Sequence, residues 1–205
     1  YVVASESCSL DTVGADFVRD VDPGEIIIID EDGVHSVATQ KASRTAHCIF
    51  EYVYFARPDS TIDGINVNQS RRRMGAILAR ETGDLDVDIV IPVPDSGTTA
   101  AIGYAEAAGK QFTQGILKNR YTARSFIQPT QAMRERMVNL KLSPIREEIG
   151  GKKVAVVDDS IVRGTTSKRL VALLRERGAA EVHMLITCPP VRIAISFNIS
   201  LRLSP

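Results

Sequence analysis

The sequence lacks the features that mark several large classes of protein. No apolar run approaches the roughly 18 to 20 residues that a membrane-spanning helix needs, so we expect no membrane partner. Lysine plus arginine number 25 and aspartate plus glutamate also number 25. This balance gives no overall basic field, so nucleic acid is not an expected partner. The remaining composition, 44% hydrophobic and 24% charged over 205 residues, is that of an ordinary globular protein.

Cysteine is also scarce, and its distribution argues against a secreted protein. The three cysteines, Cys8, Cys48 and Cys188, are far apart and odd in number, unlike a paired disulfide framework. We therefore predict a cytoplasmic location. The chain begins at Tyr1 without a methionine or a signal peptide, and "YVVASESCSL" alternates like a strand already under way. We expect the sequence to be part of a longer protein.

Strand-like and helix-like segments alternate along most of the chain. Patterns typical of strands occur at 24–30, 87–94, 115–118, 152–160 and 181–187, and residues 48–60 are rich in β-branched and aromatic residues. Helices are predicted within 66–83, from residue 98 and over 165–177. The first helix places five residues on one face, namely Val67, Ser70, Met74, Ile77 and Leu78.

This alternation predicts an α/β fold with a mainly parallel sheet flanked by helices. Residues 1–40 fit it less well, because they are strand-rich with no helix between the strands. The polar, aperiodic stretch 38–47 separates the two parts. We therefore expect a short β-rich unit over 1–40, a main domain over 48–190 and an atypical tail over 191–205.

The segment "VVDDSIVRGTTS" (156–167) ends a buried strand with two acids and starts a helix with donors. Ligands of open parallel sheets bind at the carboxyl ends of the strands. Helix N–H groups and the hydroxyls of Thr165, Thr166 and Ser167 would accept a phosphate, with Gly164 allowing close approach. The acids Asp158 and Asp159 suit sugar hydroxyls or hydrated Mg²⁺. The alternative is that the two aspartates only cap a turn and a helix.

A second loop, "VPDSGTTAA" (93–101), repeats this arrangement. Asp95 and Ser96 follow a strand, Gly97 frees the backbone, and Thr98 opens a helix. Ser-Gly-Thr-Thr is also ordinary N-capping sequence. Next to the first loop in one sheet, it indicates a second bound anion such as pyrophosphate.

A basic stretch follows the second loop. Its cations are Lys118, Arg120, Arg124, Arg134 and Arg136. Most such runs are solvated faces. Beside two anion-binding loops, a mobile lid over a polyphosphate becomes a competing interpretation.

Together these segments resemble a known family. "VVDDSIVRGTTS" is similar to the phosphoribosyl pyrophosphate (PRPP) signature of type I phosphoribosyltransferases. "EYVYFARPDSTIDGINV", "PVPDSGTTAAIGYAEAAG" and "KNRYTARSFIQPTQAMRE" look like the amidophosphoribosyltransferase family of purine synthesis. The resemblance runs from about residue 1 to residue 190. It implies that ammonia displaces pyrophosphate from PRPP to give 5-phosphoribosylamine.

The resemblance also implies roles for individual residues. Mg²⁺ would lie at Ser96, Asp158 and Asp159, and Lys118 and Arg120 would be catalytic. Residues 118–143 would be the lid. The PRPP-binding residues would be Asp95, Ser96, Gly97, Thr98, Asp158, Asp159, Ser160, Arg163, Gly164, Thr165 and Thr166.

Further implications concern the rest of the protein. Residues 1–40 would close an N-terminal glutaminase domain whose catalytic residues this chain lacks, so it would at most use free ammonia. Purine nucleotides would be feedback ligands, and the protein would be a homo-oligomer. Many bacterial members carry a [4Fe–4S] cluster, and Cys48 matches its first ligand position. Ile195 stands where the next cysteine would be, so we expect no cluster in this chain.

Two other functions are weighed. "VAVVDDS" is also how signalling receiver domains end their first strand, but no aspartate follows Asp159 to be phosphorylated. The alternative that stays open is a non-catalytic regulator, which binds PRPP through the phosphate-binding segment 156–167 but does not catalyse the transfer.

Overall fold

A computed structural model describes residues 1–38, 46–119, 142–161 and 164–189. Its helices are α1 (Cys8–Val13), α2 (Val67–Thr82), α3 (Thr98–Ala108), α4 (Arg146–Ile149) and α5 (Thr165–Glu176). Its strands are β1 (Glu25–Asp30), β2 (Gly33–Ala38), β3 (Thr61–Ile62), β4 (Ile65–Asn66), β5 (Ile89–Pro92), β6 (Gln111–Phe112), β7 (Ile116–Lys118), β8 (Leu142–Pro144), β9 (Lys153–Asp158) and β10 (Glu181–Ile186). In these ranges no helix is long and apolar enough to cross a membrane.

The central sheet is parallel and has the order β10–β9–β5–β6. Side chains of a strand alternate between the two faces of its sheet, so β5 and β9 each contribute to two separate apolar clusters. Val90, Ala155 and Val157 pack with α2 and α3 on one face. Ile91 and Val156 belong to the cluster on the other face, which contains α5. The predicted α/β fold with helices flanking a parallel sheet is confirmed.

Small residues allow α2 and α3 to pack very closely. A Cβ atom at Gly75 would overlap the carbonyl oxygen of Ala100, and one at Gly103 would overlap that of Arg72. The two glycines therefore form the seam between the helices. The predicted apolar face of α2 was only partly right, because Ile77 is exposed while Gly75 and Arg71 are buried. Close backbone contact, which side-chain hydrophobicity does not reveal, decides the buried face.

Two further sequence predictions were wrong. Residues 51–55, within a stretch of strand-like composition, form a short π-helix (Glu51–Phe55). The first residues are not a strand, since α1 begins at Cys8 and residues 1–4 have no regular structure. A strand is stable only beside other strands, and within the described residues none lies next to either segment.

The β-rich N-terminal unit consists of the antiparallel hairpin β1–β2. Ile26 and Ile28 on one face and Ile29 and Val34 on the other are all exposed. Residues 6 and 7, which precede α1, contact residues 57–61 of the main domain. The Glu6 carboxylate accepts hydrogen bonds from the Ser60 hydroxyl and the Arg57 N–H, each at 2.8 Å.

Candidate functional site

The central strands β5 and β9 lie side by side, and the chain leaves them in opposite directions. From β5 it passes through α3 to β6 at one edge, and from β9 through α5 to β10 at the other. Such a point creates a crevice at the carboxyl ends of the two strands, where open α/β sheets bind ligands. The loops that follow β5 and β9 are the two anion-binding loops predicted from sequence.

The absence of a side chain at Gly97 lets the first loop pack closely against β9. A Cβ atom at Gly97 would lie 2.5 Å from Val157 O and 3.3 Å from Asp158 Cα. The Val93 N–H also donates to Val157 O at 2.9 Å. The sequence analysis read Gly97 as freeing the backbone, and in the structure the missing side chain leaves room for the end of β9. The Pro94–Asp95 peptide in this loop is cis.

The acidic pair lies at the end of β9. Asp159 is only 5% exposed, and its carboxylate accepts a hydrogen bond from the Ser160 hydroxyl at 2.5 Å. Asp158 accepts one from the Asp159 N–H at 2.9 Å. Burial and, secondarily, the neighbouring Asp159 charge raise the pKa of Asp158 to about 6, although the Asp159 N–H opposes this. Two adjacent carboxylates with little solvent are held in a costly arrangement.

The second loop reaches α5 through Gly164, whose φ of +69° is the left-handed conformation that glycine adopts without strain. No atom lies within 4 Å of the position a Cβ would take there. Thr165 and Thr166 are exposed in the first turn of α5. In this described part of the chain no side chain caps that turn, and uncapped helix N–H groups are the donors that an anion site uses.

Lys118 ends β7 and reaches the first loop. Its Nζ lies 2.5 Å from the Asp95 carboxylate, and both side chains are more than half exposed. The structure therefore brings Lys118 next to the Asp95–Thr98 segment. Arg120 and Arg163 lie outside the described residues. So do Arg124, Arg134, Arg136, most of the predicted lid (118–143) and the tail (191–205).

Several residues around the site were missed by the sequence analysis. The Thr187 N–H donates to Asp158 O at 3.1 Å, and the Cys188 N–H to Asp159 O at 2.9 Å, so the end of β10 holds the backbone of the acidic pair. Burial and the Asp159 charge raise the pKa of the Cys188 thiol, which keeps it protonated. Backbone contacts of this kind leave no residue-type signal in a sequence.

Arg71 is the other missed residue. It is 4% exposed, and its guanidinium donates to the carbonyls of Tyr52 at 2.7 Å and Ala56 at 2.8 Å. Burial lowers its pKa, while the charges of Asp159 and Glu6 act in the opposite direction. Its neighbours Arg72 and Arg73 are not buried, so the run of three arginines carries no sequence signal that singles out Arg71.

The residues of this chain suit Mg²⁺ better than a [4Fe–4S] cluster. A carboxylate pair beside a serine is a set of oxygen ligands of the type Mg²⁺ prefers, and a divalent cation would neutralise the crowded charge of Asp158 and Asp159. A [4Fe–4S] cluster needs four cysteine ligands, and the whole chain has three cysteines. The described residues contain no group of three or more His, Cys, Asp or Glu arranged to hold a metal.

Relatives of known identity match both the sequence and the fold. The chain is 50% identical to the amidophosphoribosyltransferase of Archaeoglobus fulgidus and 53% identical to that of Bacillus subtilis, over 98% and 93% of its length. These matches cover 44% and 40% of the relatives, so the chain spans less than half of their length.

Solved structures agree with these matches. A structure described as the allosteric regulatory enzyme of purine biosynthesis superposes with a TM-score of 0.82 at 52% identity, covering 91% of this chain and 40% of the other. Glutamine PRPP amidotransferase from B. subtilis, complexed with ADP and GMP, gives the same TM-score and identity, with 91% and 41% covered. The resemblance inferred from the motifs is confirmed. The family model of the phosphoribosyl transferase domain matches residues 67–191, and the chain belongs to this family.

Proposed function

We propose that this chain forms the PRPP site of an amidophosphoribosyltransferase, in which ammonia displaces pyrophosphate from PRPP to give 5-phosphoribosylamine, the first step of purine synthesis. One observation carries the proposal. Two loops that each lead from a strand into the N-terminal turn of a helix follow the neighbouring strands β5 and β9, and the first loop packs against the end of β9 next to Asp158. PRPP has a phosphate and a pyrophosphate at opposite ends of a ribose, and this arrangement is complementary to it.

The roles of the residues follow from that complementarity. The second loop would bind the 5′-phosphate through Gly164, Thr165 and Thr166, with Ser160 and Arg163 alongside. The first loop would bind the pyrophosphate. Its contributing residues are Asp95, Ser96, Gly97 and Thr98. Asp158 and Asp159 would accept hydrogen bonds from the ribose hydroxyls.

Ser96, Asp158 and Asp159 would also hold Mg²⁺, directly or through its waters, and the ion would withdraw negative charge from the leaving pyrophosphate. The pKa of Asp158 supports this assignment, because a carboxylate that burial and a neighbouring charge disfavour gains most from a cation.

The reaction needs no protein nucleophile. The ammonia lone pair forms the C1–N bond while the bond from C1 to the pyrophosphate oxygen breaks, and both of that bond's electrons leave with the oxygen. The ammonium formed then loses a proton to solvent. Lys118 and Arg120 would stabilise the charge that develops on pyrophosphate. Lys118 contacts Asp95 in that loop, which supports a role for this cation beside the leaving group.

The rest of the protein is assigned more broadly. Residues 1–40 would be the last part of a glutaminase domain, 48–190 the transferase domain and 191–205 a divergent tail. The relative from B. subtilis was solved with ADP and GMP, which supports purine nucleotides as feedback ligands here. We also propose a homo-oligomer, and a cytoplasmic location that suits three free cysteines.

The decisive experiment measures pyrophosphate release by the purified chain from PRPP and Mg²⁺ with ammonia, with glutamine, or with neither. We expect release with ammonia and none above background with glutamine. Lys118→Gln should lower kcat by about 100-fold, while the control Lys152→Gln, just before β9 and at the opposite end of that strand from the acidic pair, should have wild-type activity.

Binding must be measured on the same samples. PRPP binding by calorimetry without ammonia-dependent release would contradict the proposed transfer and favour the non-catalytic regulator. Absence of both binding and release would contradict the proposed site itself.

A further inference from the structure

Helix α2 packs against α3, the helix that follows the first loop. Asn68 pairs with Thr99 and Arg72 with Glu106, so α2 and α3 start at the same end and run side by side. The glycine seam at Gly75 and Gly103 fixes the distance between them.

The N-terminus of α3 has no cap of its own. Gly97 occupies the cap position and offers no side chain, and within the described structure no side-chain hydrogen bond caps this helix. The first turn of α3 instead makes a side-chain hydrogen bond with α2. The Thr99 hydroxyl donates to the Asn68 side-chain carbonyl at 3.0 Å.

Asn68 is itself firmly held. Its N–H donates to the Pro58 carbonyl at 2.9 Å, and the Asn66 side chain accepts from the Gln69 N–H to cap α2. The hydrogen bond to Thr99 thus joins the first turn of α3 to a fixed point. Thr99 directly follows Thr98, the last residue of the proposed pyrophosphate loop.

We propose that Asn68 is a positioning residue, which holds Thr99 so that the first turn of α3 is set for the pyrophosphate group before the ligand arrives. The inference rests on the proposed function, since it assumes that the 95–98 loop binds pyrophosphate. Preorganised donors bind an anion more tightly because no ordering cost remains to be met on binding.

A second hydrogen bond between the same helices provides a matched control. At the far end of α2, Thr82 Oγ1 and the Tyr104 hydroxyl are 2.9 Å apart. Tyr104 is buried in the apolar cluster on this face. Removing that bond weakens the contact between the two helices far from the loop. It therefore tests whether ligand affinity depends on the helix pair in general or only on the contact next to the loop.

The experiment titrates the whole chain with inorganic pyrophosphate and with PRPP, each with Mg²⁺, in a calorimeter. Asn68→Ala and Thr99→Val should each weaken binding of both ligands by about 3- to 10-fold, the effect of one lost hydrogen bond. The double variant should bind no more weakly than the weaker single variant. Thr99→Ser, which keeps the hydroxyl, should bind like the wild type. Tyr104→Phe should lower the melting temperature and leave both affinities unchanged.

Amide exchange without ligand gives an independent readout. Exchange over 95–101 should accelerate in Asn68→Ala and Thr99→Val but not in Tyr104→Phe. Unchanged exchange there, or unchanged affinities in folded variants, would overturn the positioning role while leaving the proposed function intact. A wild-type chain that binds neither ligand would overturn both.

Discussion

Asp158 and Asp159 carry adjacent carboxylates, the first half-buried and the second buried. Their proximity has a measurable effect on the stability of the fold. The pKa of Asp158 is about 6 in the folded protein against an ordinary 3.8, so the fold binds this proton more tightly than the unfolded chain does. Protonated Asp158 therefore stabilises the fold below about pH 4, and that contribution is lost as the pH rises through about 6.

We predict that Asp158→Asn, which stays neutral, is more stable than the wild type at pH 7.5 without metal, by on the order of 2 kcal/mol. The advantage should disappear at pH 4, where both side chains are uncharged. Urea unfolding between pH 4 and 8 measures this, with Asp84→Asn as an exposed control. Parallel stability curves for the wild type and Asp158→Asn would contradict the prediction.

Arg71 has the opposite effect, because its buried guanidinium stabilises the fold. Arg71→Met leaves the carbonyls of Tyr52 and Ala56 without their donors, and we expect a loss of about 2–4 kcal/mol. Arg72→Met removes the neighbouring, surface-paired arginine and should change stability by less than about 1 kcal/mol. Equal losses in urea unfolding would show that Arg71 is not a structural anchor.

At the scale of elements, the site depends on how closely the first loop approaches β9. Gly97→Ala would place a methyl group 2.5 Å from Val157 O and push the loop away from the acidic pair. We predict that PRPP affinity falls by about 10- to 100-fold, as for other small displacements of binding groups.

The control lies at the other end of α3. Gly109 has a φ of +64° with open space around it, so Gly109→Ala should cost about 1 kcal/mol of backbone strain and leave binding unchanged. Equal PRPP affinity in Gly97→Ala and the wild type, measured by calorimetry, would sink the argument that close approach builds the site.

At the scale of the whole molecule, stability is unevenly distributed. β5 and β9 are buried on both faces between two apolar clusters, whereas in the described structure β1 pairs with β2 alone. Isolated two-stranded hairpins are marginally stable. Amides of β1 and β2 should therefore exchange at least about 100-fold faster than those of β5 and β9. Comparable protection of the two pairs of strands by mass spectrometry would contradict this uneven distribution of stability.

The sequence by itself determined the alternation of the main strands and helices, the parallel sheet and the two loops at its edge, but not the helical segments Cys8–Val13 and Glu51–Phe55. These follow from local patterns: α5 begins at Thr165 and buries Leu170, Leu173 and Leu174 as their spacing indicates. The adjacent acids and the hydroxyl residues at helix starts were likewise visible in one dimension, because their chemistry lies in residue type.

Only the tertiary structure decided how those parts meet. Gly97 packs on β9, Gly75 and Gly103 bring α2 against α3, and Asn68 and Arg71 hold segments distant in sequence. The three glycines and Arg71 meet backbone atoms of another segment, which are the same in every residue. Asn68 meets the Thr99 side chain, which its own sequence neighbours do not reveal. A sequence pattern records which side chains are apolar, charged or small, but not which distant carbonyl they meet.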